Sequence, residues 1–241
     1  MSKAQSAFQR VLLKLSGEAI VGENGLYNYA LIDDICAKIK TLTEAGTQVG
    51  VVIGAGNIWR GRQGTELDRV RADHMGMLAT VLNCLCVQDA LIRQGVPAIT
   101  MTAIEMESVA EFYSVRAARE ALDSGKVILF GCGTGSPFFS TDTGAVLRAV
   151  EIEADAVLMA KNIDAIYTAD PRTNPDAVRL AAISYSDILK KGLTALDFTA
   201  TALAMQANLP ILCFGLADTE NIVRAARGEH IGTIINQNGT L

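Results

Sequence analysis

The sequence predicts an α/β fold, a three-layer sandwich in which helices cover both faces of a central, mostly parallel sheet. Two observations support this prediction. The strand-like segments are apolar throughout, as at residues 49–53, which is typical of strands buried on both faces. Helical and strand patterns also alternate along the whole chain, and this alternation favours parallel strands joined by helical crossovers. Because no shift in composition marks a linker, we expect residues 1–241 to form a single domain.

The elements are predicted from the spacing of apolar residues. Short, mainly apolar runs predict strands at residues 11–15, 49–53, 96–100, 127–130, 156–159, 211–214 and 232–235. Apolar residues three and four positions apart predict helices near residues 31–46, 75–90, 109–122, 141–153, 197–206 and 219–227. Ser184, three residues before Asp187, is typical of a helix start. Residues 162–176 are predicted to be a polar loop, since they include Pro171 and Pro175.

Composition and charge limit the class of protein. Hydrophobic residues make up 50% and charged residues 20% of the chain, a globular composition. The net charge of −5 does not favour binding to nucleic acid or to an anionic membrane. The uncharged stretch at residues 198–217 contains Pro210 and Gly215, which argues against a membrane span. We therefore expect a cytoplasmic protein that needs neither nucleic acid nor membrane.

Cysteine and histidine usage does not indicate a metal centre or a disulfide framework. The cysteines show no Cys-x-x-Cys spacing, and each lies in an apolar stretch, which predicts reduced core thiols. They are Cys36, Cys84, Cys86, Cys132 and Cys213. The two histidines, His74 and His230, are far apart in the sequence. No metal bound by protein side chains is predicted.

Three predicted strands end in turns of glycine and small polar residues, at residues 16–17, 54–57 and 131–136. Ligands of parallel sheets bind beyond the carboxyl ends of the strands. Glycine allows backbone amides to approach an anion, and a following helix start adds a positive dipole end. Three such turns predict a polyanionic ligand, although each could instead simply close a strand–helix connection. The sequence contains no Walker A pattern. The Rossmann pattern Gly-x-Gly-x-x-Gly is also absent, because Trp59 stands where its third glycine would be.

Lys14 places a charge inside an apolar strand just before the first turn. Its ammonium would neutralise a transferring phosphoryl group, but an equally weighted interpretation is a strand-end lysine that reaches water. Arg60 and Arg62 follow the second turn and would suit a phosphate clamp, although loop arginines are more often simply solvated. Without a Ser-His-Asp arrangement or a metal motif, the remaining chemistry is positioning plus charge neutralisation, as in phosphoryl transfer.

Other polar residues allow two interpretations. Helix capping alone would explain Ser140, Thr141 and Asp142 after the third turn, yet their polar groups would also suit a phosphate or a ribose. Asp73 would also suit a polar ligand, but the favourable interaction of a negative charge with a helix start would by itself explain an aspartate at this position. Tyr167 precedes a turn and would be able to stack on a base.

Five segments, in family order and spacing, resemble the bacterial uridylate (UMP) kinases, a branch of the amino-acid kinase superfamily. They are residues 14–18 (KLSGE), 51–61 (VVIGAGNIWRG), 72–77 (ADHMGM), 133–142 (GTGSPFFSTD) and 167–171 (YTADP). The Asp-His-Met-Gly-Met run at residues 73–77 and the Gly-x-Pro-Phe-Phe run are specific to this branch. The resemblance implies the amino-acid kinase fold and transfer of the γ-phosphoryl group of ATP to UMP, in pyrimidine nucleotide biosynthesis, with Mg²⁺ held mainly by phosphates.

The resemblance also implies roles for individual residues. The catalytic residues would be Lys14, Arg60, Asp142 and Asp197. Contacts to ATP would come from Lys14, Leu15, Ser16, Gly17, Gly56, Arg60, Asn162, Tyr167 and Asp170. Contacts to UMP would come from Ala55, Asp73, Thr134, Gly135, Ser136, Pro137, Phe138, Phe139, Ser140 and Thr141. The N-terminal part would form the UMP lobe and the part from about residue 155 the ATP lobe. Whether Lys161 or Asn162 meets ATP stays open.

Two departures and two alternatives accompany the resemblance. Ala55 replaces a glycine that is frequent in the family, and Ser136 stands where asparagine is frequent. The family is typically a homohexamer activated by GTP and inhibited by UTP, which are expectations for this chain. One alternative is a kinase with a carboxylate or carbamate acceptor, to which the apolar Pro137–Phe139 segment is poorly suited. The other is a nucleotide sensor without catalysis, which would not need Lys14.

Overall fold

A computed structural model describes residues 6–22, 25–59, 66–193 and 196–241. The strands within them are β1 Arg10–Leu15, β2 Gln48–Ile53, β3 Ala98–Thr102, β4 Glu111–Phe112, β5 Val127–Gly131, β6 Ala156–Lys161, β7 Ile166–Tyr167, β8 Arg179–Leu180, β9 Ala182–Ser184, β10 Ile211–Gly215 and β11 Thr233–Asn236. The α-helices are α1 Tyr29–Glu44, α2 Arg69–Arg93, α3 Val115–Asp123, α4 Thr141–Glu151, α5 Tyr185–Lys191, α6 Phe198–Ala207 and α7 Glu220–Ala226. A 3-10 helix covers Gly17–Ile20.

Nine strands form one sheet in the order β4-β3-β5-β2-β1-β6-β10-β11-β9. Strand β1 lies between β2 and β6 and pairs in parallel with both, so that Lys14 is beside Val52 and Met159. The pairs of this sheet are parallel except for β10 with β11. The predicted, mostly parallel sheet is confirmed, and the carboxyl ends of β1, β2, β5, β6 and β10 lie at the same edge.

Helices cover both faces of the sheet, because successive strand residues point to opposite sides. Leu13 packs in one apolar core with Ile35 of α1 and Val87 of α2. Leu12 packs in a second core with Val146 of α4. Lys14 has the same parity as Leu12, so its side chain leaves the sheet toward α4. This alternation confirms the three-layer sandwich and sets the direction of the charged side chain.

Helix α2 is long and apolar enough to cross a membrane by length and composition alone. Half of its most apolar stretch is buried inside the protein. The inward face includes Val81, Cys84 and Val87, and the helix packs on β3 and β5. Burial in the core therefore accounts for much of its apolar character.

Two local predictions were wrong, and one short element was not predicted. The helix predicted over residues 109–122 begins only at Val115, because Ser114 caps it there by accepting a hydrogen bond from Ala117 N at 3.2 Å; the preceding β4 pairs with β3 instead. The segment predicted as a polar loop contains β7, which pairs with β8. The 3-10 helix after Ser16 was not predicted, because its four residues are too few to show a periodic pattern. The helix start at Ser184 is confirmed by its hydrogen bond from Asp187 N at 3.0 Å.

Candidate active site

The three glycine-rich turns meet beyond the carboxyl ends of β1, β2 and β5. A Cβ atom on Gly17 would lie 2.2 Å from the carbonyl oxygen of Gly54 and 2.7 Å from the amide nitrogen of Gly56, so the first and second turns touch only because Gly17 lacks a side chain. A Cβ atom on Gly54 would lie 3.6 Å from Oγ1 of Thr141, which follows the third turn. The turns therefore line one crevice rather than closing three separate connections.

Lys14 is the charged centre of this crevice. The residue is only 8% exposed, and its Nζ lies 2.7 Å from Oδ1 of Asp142 at the start of α4. On the neighbouring strand β6, Lys161 places its Nζ 3.4 Å from Oδ2 of the same carboxylate. Of the two interpretations of Lys14, the structure therefore favours the one in which its ammonium faces the crevice. The ammonium group of Lys161 therefore reaches the crevice beside Asp142, whereas Asn162 is exposed.

Asp142 and Lys161 keep each other charged, and Lys14 acts on the same carboxylate. Burial would raise the pKa of Asp142, but the adjacent ammonium groups of Lys14 and Lys161 hold that pKa below its ordinary value. Burial would lower the pKa of Lys161, but Asp142 raises it above its ordinary value, with further contributions from Cys213 and Asp197. At neutral pH the site thus presents an ionised Asp142 carboxylate and a Lys161 ammonium group.

These shifts give stability contributions of opposite pH dependence. The contribution of Asp142 is fully present above the pKa of the unfolded chain and is lost as the pH falls through its lower folded-state pKa. The contribution of Lys161 is present below its unfolded-state pKa and is lost as the pH rises through its raised folded-state pKa. Both are retained around neutral pH.

Asp197 fixes the start of α4. It caps α6 by accepting a hydrogen bond from Ala200 N at 2.9 Å. Its carboxylate also accepts hydrogen bonds from the hydroxyl of Ser140 and from Thr143 Oγ1, the latter at 2.9 Å. Ser140 in turn accepts from Asp142 N at 3.0 Å and caps α4. Asp197 therefore acts on Asp142 through the helix start, a link that sequence reasoning missed because nothing in the first turn of α4 marks Thr143.

A cavity of about 270 Å³ adjoins the lysine cluster. Most residues expected to contact UMP line it: Ala55, Asp73, Thr134, Ser136, Phe138, Phe139, Ser140 and Thr141. Gly135 and Pro137 belong to the same segment without lining the cavity. Ala55 keeps a φ angle outside the left-handed region, so its methyl group causes no backbone strain. Sequence reasoning missed Trp59, Arg69 and Thr80, which also line the cavity.

Asp73 lies at the mouth of this cavity. Its Oδ2 accepts hydrogen bonds from Phe138 N at 2.8 Å and from Arg69 Nε at 2.9 Å. The Arg69 guanidinium also lies 5.4 Å from the centre of the Phe138 ring. Because α2 begins at Arg69, Asp73 lies in its second turn, and the interpretation of Asp73 as a charge at a helix start was wrong.

The residues expected to contact ATP are divided between the turns and the segment after β6. Leu15 is fully buried, so it would offer only its backbone. The Tyr167 hydroxyl donates to Asp164 Oδ1 at 3.0 Å, and Asp170 accepts from Arg172 Nε at 3.0 Å. Asn162 is exposed. Arg60, with Arg62, lies outside the described residues.

The fold and this crevice define a class of protein: an α/β phosphotransferase in which backbone turns and lysine side chains converge at the carboxyl edge of a mostly parallel sheet. The model of the Amino acid kinase family matches residues 9–215. The chain therefore belongs to the amino acid kinase family.

Solved structures of the family are similar over nearly the whole chain. UMP kinase from Bacillus anthracis is 36% identical with a TM-score of 0.93, over 97% of this chain and 98% of that one. UMP kinase from Ureaplasma parvum is 34% identical with a TM-score of 0.90, over 95% and 99%. Uridylate kinase from Archaeoglobus fulgidus, at 24% identity, TM-score 0.72 and coverage of 93% and 99%, shares the fold.

Proposed function

We propose that this protein is a UMP kinase, which transfers the γ-phosphoryl group of ATP to UMP and yields ADP and UDP for cytoplasmic pyrimidine nucleotide biosynthesis. The observation that carries the proposal is the contact of three backbone turns around Lys14, Asp142 and Lys161, next to a cavity large enough for part of a nucleotide. The exposed rings of Phe138 and Phe139 suit a pyrimidine better than a carboxylate acceptor. The similarity to two UMP kinases supports this choice of acceptor.

The proposed mechanism is direct transfer between two nucleotides bound with their phosphates end to end. The backbone of Ser16, Gly17 and Gly56 would hold ATP phosphates, since amides at such turns bind anions. Lys14 and Lys161 would neutralise the charge that develops on the phosphoryl oxygens, while Asp142 holds both side chains in place. Arg60, from the resemblance, is proposed to reach the transferred group.

The nucleosides would lie on opposite sides of this centre. Asp73 would accept a hydrogen bond from the UMP ribose, and the segment 134–141 would surround the uridine and its phosphate. Asn162, Tyr167 and Asp170 would line the adenosine side, where they follow the end of β6. In this proposal the N-terminal part of the chain would form the UMP lobe, and the part from about residue 155 would form the ATP lobe.

Mg²⁺ bound with ATP would supply further charge neutralisation at the phosphates. Throughout the part of the chain that the structure describes, no group of three or more His, Cys, Asp or Glu side chains is arranged to hold a metal ion. Asp142 already pairs with two lysines. The donor set therefore fits an ion held mainly by phosphate oxygens and water.

A coupled assay of ADP release tests the proposal. UMP, CMP, dUMP and N-acetylglutamate would be supplied as acceptors, with and without GTP or UTP, the two effectors that we propose. We expect the fastest release with UMP. Release with N-acetylglutamate alone would support the carboxylate acceptor, and nucleotide binding without any release would support a sensor; either result would overturn the proposal.

Replacing Asp73 with asparagine is expected to raise the KM for UMP by about 10–100-fold, because a hydrogen bond to a charged group contributes about 1.5–3 kcal/mol. The change also weakens the hydrogen bond that Phe138 N donates to the side chain of residue 73, between two residues that line the cavity. Steady-state kinetics with UMP varied at saturating ATP checks this. Asp68→Asn is the matched control, since Asp68 caps the same helix and asparagine caps equally well. An unchanged KM for UMP in Asp73→Asn would remove Asp73 from the ribose contact.

We also propose that the protein self-associates through α2, as the resemblance to a homohexameric family implies. Met75, Leu78 and Leu82 are 41%, 53% and 52% exposed and follow one another on the outer face of the helix. Leu85 extends the same face and is half-buried. These residues form the α2 stripe.

The α2 stripe is complementary to itself in an antiparallel pair. A twofold axis near residue 80 would place Leu78 against the partner's Leu82 and Met75 against the partner's Leu85. The same axis would bring Arg71 toward the partner's Asp89, opposite charges at both ends of the contact. Such reciprocity is what a twofold interface requires. A hexamer would repeat this pair three times.

Leu82→Glu is expected to shift the protein to a smaller assembly, since a buried unpaired charge opposes association. Sedimentation velocity at several protein concentrations measures the change. Val178→Glu provides the control, because Val178 is 60% exposed but lies outside α2. An unchanged sedimentation coefficient for Leu82→Glu would contradict association through the α2 stripe.

A further inference from the structure

Two charged residues are buried within the described ranges, and the proposed mechanism uses only one of them. Lys14 is 8% exposed and faces the crevice, whereas Arg148 of α4 is 4% exposed and lies behind the third turn. Burying a guanidinium is costly unless its donors are satisfied and its charge is balanced. The contacts of Arg148 therefore indicate which part of the protein its buried guanidinium stabilises.

Two side chains, those of Glu151 and Tyr113, contact the guanidinium of Arg148 and balance its charge. Its Nη1 lies 2.5 Å from Oε2 of Glu151, one turn further along α4. Its Cζ lies 3.9 Å from the centre of the Tyr113 ring, close enough for a cation–π contact. The Tyr113 hydroxyl donates to the same Glu151 oxygen at 2.6 Å, so that charge and ring are joined in one network.

The remaining contact leads to the UMP cavity. Arg148 Nη2 donates a hydrogen bond to the carbonyl oxygen of Gly133 at 3.0 Å. Gly133 and the next residue, Thr134, line that cavity. From the other side, the amide of Cys132 donates to Thr80 Oγ1 at 2.8 Å. The turn is thus fixed by two side chains that come from different helices.

The turn needs such support because its backbone is unusual. Cys132 and Gly133 both have left-handed φ angles, of 65° and 56°. A residue with a side chain rarely adopts this conformation unless the surroundings impose it. A Cβ atom on Gly144 of α4 would lie only 3.2 Å from Gly133 Cα, so the helix presses directly on the turn.

We propose that Arg148 is a positioning residue for the acceptor nucleotide, acting through the Gly133 carbonyl to hold the turn that surrounds UMP. This inference rests on the proposed function, since it assigns UMP to that cavity. Arg148 does not line the cavity, so its effect would pass through the backbone. Loss of the contact would therefore weaken UMP binding more than the chemical step or ATP binding.

The test is steady-state kinetics of Arg148→Lys with each substrate varied. Lysine keeps the charge but lacks the planar fork that serves Glu151 and Gly133 together. We expect the KM for UMP to rise about tenfold, as for loss of one hydrogen bond to a charged group, while kcat and the KM for ATP change less than about twofold. Arg119→Lys is the control, because Arg119 donates to Glu151 O at 2.9 Å and pairs with Glu153, away from the turn.

Gly144→Ala provides a second variant that does not depend on the buried charge. Alanine favours a helix over glycine, but its Cβ atom would lie 3.2 Å from Gly133 Cα, so thermal unfolding is measured to show that the variant is folded. Its methyl group would nevertheless push on Gly133, and we expect a higher KM for UMP at constant KM for ATP. An unchanged KM for UMP in the folded variants would overturn the positioning role. A wild-type protein that does not phosphorylate UMP would instead overturn the proposed function.

Discussion

Replacing Lys14 with alanine is expected to lower kcat by about 10²–10³-fold, the usual cost of removing one donor that stabilises developing charge. The ammonium of Lys14 stands between the three turns and is held there by Asp142 at 2.7 Å. In the proposed mechanism it acts on the transition state more than on either bound nucleotide, so the KM values should change much less than kcat.

Initial-rate kinetics checks the effect of Lys14→Ala, with thermal unfolding to show that the variant is folded. Lys161 still faces Asp142 in this variant, so the carboxylate keeps one partner. Lys126→Ala is the matched control, because Lys126 is exposed and precedes β5 at the opposite edge of the sheet. Wild-type turnover in Lys14→Ala would exclude Lys14 from the chemical step.

Asp142→Asn should have the second largest effect, a fall in kcat of about 10²-fold. The substitution removes the carboxylate that holds the two ammonium groups in place. It also removes the main influence that raises the pKa of the partly buried Lys161, which would then fall because desolvation favours the neutral amine. We therefore expect the alkaline limb of the pH–rate profile to move to lower pH.

The pH profile distinguishes this role from a purely structural one. A variant that merely unfolds loses activity at every pH, whereas loss of a lysine proton depends on pH. Asp123→Asn removes a carboxylate that pairs with Arg10 at 2.8 Å, far from the crevice, and should leave the profile unchanged. If Asp142→Asn were folded and kept the wild-type alkaline limb, Asp142 would not be what keeps Lys161 protonated.

Much of the fold follows from local patterns in the sequence. Val51 and Leu13 belong to largely apolar strands that only a sheet covered on both faces would bury. Ser184 marks a helix start because its hydroxyl satisfies a free amide. The two-residue strands β4 and β7 were missed, since so few residues carry no periodic signal and their pairing partners decide their structure.

The candidate site was predictable where it depends on single residues and not where it depends on contacts between elements. Lys14 and the glycines stand out because a buried charge and a run of flexible residues are unusual in a strand–turn segment. The contact of Lys161 with Asp142 required β6 to lie beside β1, an order that the sequence does not reveal. Arg148 and Thr143 were missed because each resembles any other residue of an amphipathic helix.

The most direct test of the central claim uses adenosine and uridine joined through their 5′ positions by a polyphosphate chain. If both nucleotides occupy one crevice end to end, this compound should inhibit competitively against ATP and against UMP, bind once per chain, and bind more weakly to Lys14→Ala. Competition against only one substrate, or binding at two independent sites, would contradict a shared crevice and direct transfer.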